Sequence, residues 1–359
     1  MSPELELEPE QSSSPAVALE PGEVPRPEIS PEIPSEIEAE TPAETQSTTS
    51  SDSSDQSDLS LGDLARSAIE KHLTKACRHE AAVLKDRDPE ELHQMRVALR
   101  RLRSAQVGFA VAIDLPKRAG DRAVGKVAKI LGELRDLDVM DEALRDRYQP
   151  HLPEDEQALL QTVRDDLAAQ RHKVFNRVAK TLQKREWPPL KAALTNWVAK
   201  PRLRPAAAWP ATTIVPDLLL PLLSHWLMHP GWLVQMGGRS VTDLSLLEWA
   251  VVHDLRKMAK RLRYQMALFS EFYGSDYERE LAKIGDIQTV LGDLQDISVL
   301  ETFLVKAIGI QWATDAPIWA QLLDRQRDRT WEAWLLLQAQ FEHPRQRQNL
   351  RDVVNHLIR

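Results

Sequence analysis

HQMRVALRRLR, residues 93–103, decides how the rest of the chain is read. At about 100° per residue, His93, Arg96, Arg100 and Arg103 fall within an arc of roughly 80°. Met95, Ala98, Leu102 and Phe109 gather on the opposite side. The segment is therefore a helix with one side fit for a core and another presenting a His and a row of guanidinium groups, with Arg101 beside them. The pattern returns in HDLRKMAKRLR, residues 253–263. There His253, Arg256, Lys260 and Arg263 repeat the cationic stripe, joined by Arg261, and Leu255, Met258, Leu262 and Phe269 repeat the apolar one.

The offset is 160 residues (253 − 93), and LGELRDLDV from Leu131 and LGDLQDISV from Leu291 share it. Two separated matches at one offset indicate an internal duplication. The period is too long for a solenoid and suggests two half-domains that face each other. From Leu61 onward the pattern is helical almost throughout, so the fold class is all-α.

His-x-x-Arg-x-x-x-Arg-Arg-Leu-Arg followed by Leu-Gly-x-Leu-x-Asp, in two copies, resembles the conserved histidine α-helical domain, the CHAD family, over residues 60–359. The resemblance implies two four-helix bundles related by pseudo-two-fold symmetry around a basic central channel that binds inorganic polyphosphate. It implies no cofactor, and association with polyphosphate granules. Carried onto this sequence, the ligand contacts would be His93, Arg96, Arg100, Arg101, Arg103, His253, Arg256, Lys260, Arg261 and Arg263. The second copy departs in having Lys260 in place of an Arg, which keeps the charge and loses the bidentate fork. Gln295 and Ser298 also stand where the first copy has Arg135 and Asp138. Glu4, Glu6 and Glu8 do not complete the Glu-x-Glu-x-Lys signature of the triphosphate tunnel enzymes that often accompany this family.

The formal net charge of −8 hides an asymmetry. Residues 1–58 hold twelve Glu, three Asp and one Arg, or −14, leaving 45 basic and 39 acidic residues, or +6, for the rest. The first segment is rich in Pro and Ser, so it is expected to be a disordered, solubilising arm, or an acidic pseudo-ligand for the stripes. The lone Cys77 excludes an internal disulfide framework. The N-terminus lacks the cationic and apolar regions of a signal peptide. The apolar run Leu218 to Met228, broken by Pro221, is too short for a bilayer. The expectation is a cytoplasmic protein with no membrane partner.

In order, helices are expected over 62–84, from Asp88-Pro89 to Ile113, 117–148, 154–183, and after Trp187-Pro188-Pro189. Asp88 suits an N-cap and Pro89 the first helical position. Residues 200–213 form a joint between half 1 (60–199) and half 2 (214–359). The second half repeats the order over 214–228, 243–273, 276–308, 315–341 and 344–358. Gly132 is expected to allow close helix approach, and Asp136 and Asp296 to pair with Arg side chains. Lys71, Lys75 and Arg78, and again Arg122, Lys126 and Lys129, stand at i, i+4, i+7 and are either solvated faces or walls of the anion site. Trp331 and Trp334 suit a core or an interface.

Rows of Arg on one helix side need anions, because Arg stays charged and repels its like. Carboxylates of the protein would make the stripes structural. Nucleic acid would use the same cations, but no aromatic-plus-basic motif accompanies them. No P-loop, HExxH or carboxylate cluster marks an enzyme or a metal site. Non-catalytic binding of polyphosphate is the favoured expectation. The His of each stripe would gain charge beside a phosphate.

Overall fold

The computed structural model describes residues 59–234 and 244–358. The expectation for the acidic arm lies outside these residues. Among them are eleven α-helices. The first half holds α1 (Leu61–Val83), α2 (Pro89–Gly108), α3 (Asp121–Ala143), α4 (Glu154–Lys184) and α5 (Trp187–Ala199). The second holds α6 (Ala211–Leu227), α7 (Leu246–Leu268), α8 (Ser275–Ile308), the short α9 (Trp312–Asp315), α10 (Pro317–Glu342) and α11 (Pro344–Asn355). The fold is all-α among the described residues.

Local chemistry sets the starts. Ser60 Oγ accepts from the Asp63 N–H at 3.1 Å, and Asp88 Oδ1 accepts from the Glu90 N–H at 2.9 Å. Ser245 and Glu248 form a reciprocal capping box ahead of α7. Ends depart from expectation where tertiary structure intervenes. Helix α2 stops at Gly108, short of Ile113, because the following turn is tied to the joint: the Asp114 N–H donates to the Arg202 carbonyl at 2.9 Å and the Arg204 N–H to that of Ala112 at 2.8 Å. The joint is packed, not a free linker. A Cβ on Gly62 would stand 2.9 Å from the Ala207 Cβ, so α1 and the joint meet at a distance that only glycine permits. Helix α3 also ends before Tyr148, as Leu144–Tyr148 widen into a π-helical turn that buries both Leu144 and Tyr148.

In the first half α1 packs on α2, α2 on α3, α3 on α4, α4 on α5 and α5 back on α1. In the second the same circuit runs α6, α7, α8, α10, α11 and back to α6. The last helix of each half, expected after Trp187 and after Pro344, closes the circuit. The halves meet at several places, α1 against α6 among them. Helices α2 and α7 touch, with Phe109 and Phe269 edge to face at 5.3 Å between ring centres. Farther along, Leu144, Leu160 and Val163 share an apolar cluster with Ile297, Phe303 and Trp319. There the buried Glu156 accepts from the Ile318 and Trp319 N–H groups, both at 2.8 Å, and so satisfies the N-terminus of α10 across the halves.

Trp334 is fully buried and stacks on Trp232, as expected for core. The reading of the apolar run is corrected in one respect: Ala211–Leu233 does have the length and hydropathy of a membrane span. In this fold α6 is a core helix, with Val215, Leu219, Leu223 and Trp226 at 0 % exposure.

Candidate functional site

On α2 the buried residues Met95, Ala98, Leu99, Leu102 and Ala105 fix the helix against the core. Rotation by the helical period then turns the stripe toward α3 and, at Arg100, toward Tyr264 of α7. On α3 the residues met by the stripe are Asp121, Gly125, Gly132 and Asp136, one row along that helix. Arg96 lies across Gly132, where a Cβ would stand 3.0 Å from its Nη1, and that nitrogen donates to Asp136 at 3.3 Å. Arg103 lies across Gly125 and donates to both oxygens of Asp121 at 2.7 and 3.3 Å. The glycine of the Leu-Gly segment therefore makes room for a guanidinium, not for a neighbouring backbone as the sequence suggested.

The second stripe repeats this. Leu255, Ala259, Leu262 and Met266 are buried, and Arg256 lies across Gly292, a Cβ there standing 3.4 Å from Nη2. Arg263 donates to the Gln288 amide oxygen at 3.2 Å, an uncharged partner where Arg103 has a carboxylate. Burial pushes Asp286 and Asp293 above the usual carboxylate value, with Arg263 pulling back at Asp286, and Arg147 and then Arg256 at Asp293. The Nε atoms of Arg100 and Arg256 are buried with no hydrogen-bond partner.

The stripes meet at one ring. Arg100 of the first half lies over Tyr264 at 4.6 Å from the ring centre, and Arg263 of the second at 5.9 Å. The Gln265 amide donates to the Ser104 carbonyl at 3.0 Å and holds the two helices in this register. Burial, with Arg100 and Arg101 adding repulsion, lowers the pKa of Arg263. Guanidinium groups from both halves thus share one small, half-buried region.

His253 is half-buried and hydrogen-bonds Gln295. Its pKa lies below the ordinary 6.5, chiefly through burial and then through Lys257 and Arg256. The sequence reading expected a rise beside phosphate; in the protein alone the shift is downward, because burial and the neighbouring cations outweigh the upward pulls of Gln295 and Asp254. His93 and Lys260 are half-buried at their places in the stripes, and Arg261 is exposed. Asp136, which carries Arg96, and Gln295, which carries His253, both line a cleft of about 320 Å³ between α3 and α8, walled by Leu137, Met140, Val299 and Phe303.

The i, i+4, i+7 rows of cations on α3 and α1 do not line this region. Arg122, Lys126 and Lys129 are exposed and sit roughly 80° round α3 from the row that meets the stripe. They flank the groove. On α1, Lys71 and Arg78 are exposed and Lys75 half-buried, on the side roughly 150° from the buried Ala65, Ile69, Leu73 and Ala76. Sequence reading missed Tyr264, which no period marks, and a second cationic row on α4: Lys173, Arg177, Lys180 and Lys184, all exposed. Its i, i+4, i+7, i+11 spacing was open to inspection. Among the described residues no group of three or more His, Cys, Asp or Glu is placed to hold a metal ion.

Comparisons with known proteins give the family and the fold. A family model for the CHAD domain matches residues 67–305. The crystal structure of the CHAD domain from the plant Ricinus communis is similar at 25% identity and a TM-score of 0.54, over 84% of this chain and 96% of that one. PptA from Streptomyces chartreusis is similar at 14% identity and a TM-score of 0.52, over 83% of this chain and 100% of that one, a likeness of fold. No curated protein matches.

Proposed function

The chain belongs to the CHAD family, and from that premise we propose that it binds inorganic polyphosphate, without turning it over, in a basic channel bordered by the cationic sides of α2 and α7. The observation that carries this reading is the meeting of Arg100 and Arg263 on Tyr264. Cations from two halves of a chain are brought together, partly desolvated and under-supplied with carboxylates. An external polyanion would relieve the repulsion and satisfy the buried Nε atoms of Arg100 and Arg256. The channel, its pseudo-symmetry and all ten stripe residues as contacts belong to the proposal, as does a cytoplasmic location with access to polyphosphate granules.

A linear phosphate chain suits the site better than a duplex. Guanidiniums already cover Tyr264, so it offers no platform for bases. The test is a titration of the purified protein with long-chain polyphosphate, with duplex DNA and RNA as competitors and salt varied. Affinity is expected to fall steeply with salt through counterion release, and to survive a chelator. Excess DNA is expected not to displace the ligand. Equal competition at matched phosphate concentration would make the protein a general polyanion binder, and release of phosphate would make it an enzyme.

A pH dependence follows from His253. Its pKa lies below 6.5 in the free protein, so at neutral pH it is uncharged. A phosphate nearby favours the charged form and raises the pKa. Binding therefore takes up a proton, and affinity should rise as pH falls from 8 toward 6, by less than about tenfold for a single site shifted by one unit. His253→Gln should flatten that profile. An unchanged slope in the variant would place His253 outside the site.

A further inference from the structure

We propose that the outer face of α3 and α4 is a second polyanion site, which holds the part of a long polyphosphate chain that extends beyond the inner groove. The inference rests on the ligand proposed above, at different residues. Between Asp121 and Glu133 the sequence has no acidic residue, and between Asp166 and Glu186 it has none again. The structure sets the overlapping parts of these stretches, about residues 122–132 and 178–185, side by side. Glu133 pairs with Arg177, Asp138 with Arg171 at 2.6 Å and Asp141 with Arg164 at 2.8 Å, so numbers rise along α3 as they fall along α4. Continuing that register brings Lys129 and Lys126 beside Lys180 and Lys184.

Two exposed rows result: Arg122, Lys126 and Lys129 on α3, and Lys173, Arg177, Lys180 and Lys184 on α4. Within each row the charges stand about 4.5–6 Å apart along the axis, and the rows are separated by roughly a helix spacing of 8–10 Å. Like charges at these intervals weaken the helices that carry them. Lys173 lies beyond the Glu133–Arg177 pair, alongside the Asp136–Asp138 stretch, so within the overlap one carboxylate, Glu133, meets six cations: Arg122, Lys126, Lys129, Arg177, Lys180 and Lys184. Further counter-charge has to come from outside these two stretches.

Two further features select the ligand. The face adjoins the inner groove, because the row of α3 that carries Arg103 is roughly 80° round the same helix. A chain leaving the groove past the exposed Arg103 meets Arg122 and Lys126 next. The face also lacks a stacking platform: the aromatic residue of residues 173–185 is Phe175, half-buried against the core. Lysine-rich rows without aromatics suit a featureless phosphate polymer better than bases.

The test compares the full chain with the variant Lys126→Gln, Lys129→Gln, Lys180→Gln, Lys184→Gln, using a short oligophosphate that the inner groove alone can hold and a long-chain polyphosphate. The variant should keep its helicity and thermal midpoint, keep its affinity for the short ligand, and lose roughly tenfold for the long one. The slope of log affinity against log salt should fall by about 3, at roughly 0.7 per cation removed. Equal losses for both lengths, or no loss for either, would overturn the second site. So would a loss of duplex DNA binding with long-chain affinity intact, which would make the face a nucleic-acid surface. A companion variant, Arg100→Ala with Arg263→Ala, separates the two proposals. It should weaken both lengths. If it weakens neither while the Lys variant weakens the long ligand, the inner site fails and the outer one stands.

Discussion

Replacing Arg96, Arg100, Arg256 and Arg263 together by Ala is expected to abolish polyphosphate binding while leaving the helical fold in place. Under the proposed reading each guanidinium would make charge-assisted hydrogen bonds to phosphate, and such bonds contribute about 1.5–3 kcal/mol apiece. Four removed together should lower affinity by at least about three orders of magnitude, even with strong non-additivity. The fold should tolerate the change. None of the four is fully buried, and the core residues beneath them, Met95, Ala98, Leu99, Leu255 and Ala259, are untouched. Removal also relieves repulsion between Arg100 and Arg263. Arg96 gives up its bond to Asp136, a long one at 3.3 Å to a carboxylate 74% exposed, a pair that contributes little in water. Far-ultraviolet circular dichroism and a binding titration read the two outcomes separately. Retained affinity with retained helicity would make the stripes structural.

The second large effect lies at the junction of the halves. Phe269→Ala removes a ring with 0 % exposure from its edge-to-face contact with Phe109. Truncating a buried Phe destabilises by about 3–5 kcal/mol, and in a body of this size that lowers the thermal midpoint by roughly 10 °C. Loss of affinity should accompany it, because the same helix ends align Arg100 and Arg263 on Tyr264. Trp334→Ala is the control. It opens a comparable hole in the core, beside Trp232 and away from the α2–α7 contact. Calorimetry should show similar destabilisation in both variants, and binding well below the midpoint should be weakened in the first alone. Equal affinities would mean that the junction does not align the stripes.

The fold was largely legible because helical periodicity is a local property. In α2 the apolar period placed Met95, Ala98 and Leu102 in the core, and the Asp88-Pro89 start appears as read. Ends were less legible because tertiary contacts set them. The stop at Gly108 depends on hydrogen bonds to residues 202 and 204, far along the chain. In the site, the repeat at one offset marked Arg96 and Arg256, and each indeed lies across the glycine of its own Leu-Gly segment. Sequence could not say that the glycine serves the Arg, since that requires the relative rotation of two helices. Tyr264 was invisible for a similar reason. Its counterpart 160 residues earlier is Ser104, so the duplication gave no signal there. The row on α4 had a readable period, but its register against α3 comes from ion pairs between the helices.

The central claim is that cations from both halves of the chain form one phosphate site. The most direct measurement is a crystal structure with a short oligophosphate bound. One ligand chain in contact with both Arg100 and Arg263, with Arg96 and Arg256 turned toward the same ligand, is the predicted result. Separate ligands on the two halves, or a ligand that leaves Arg100 and Arg263 on Tyr264 without a phosphate contact, would contradict it.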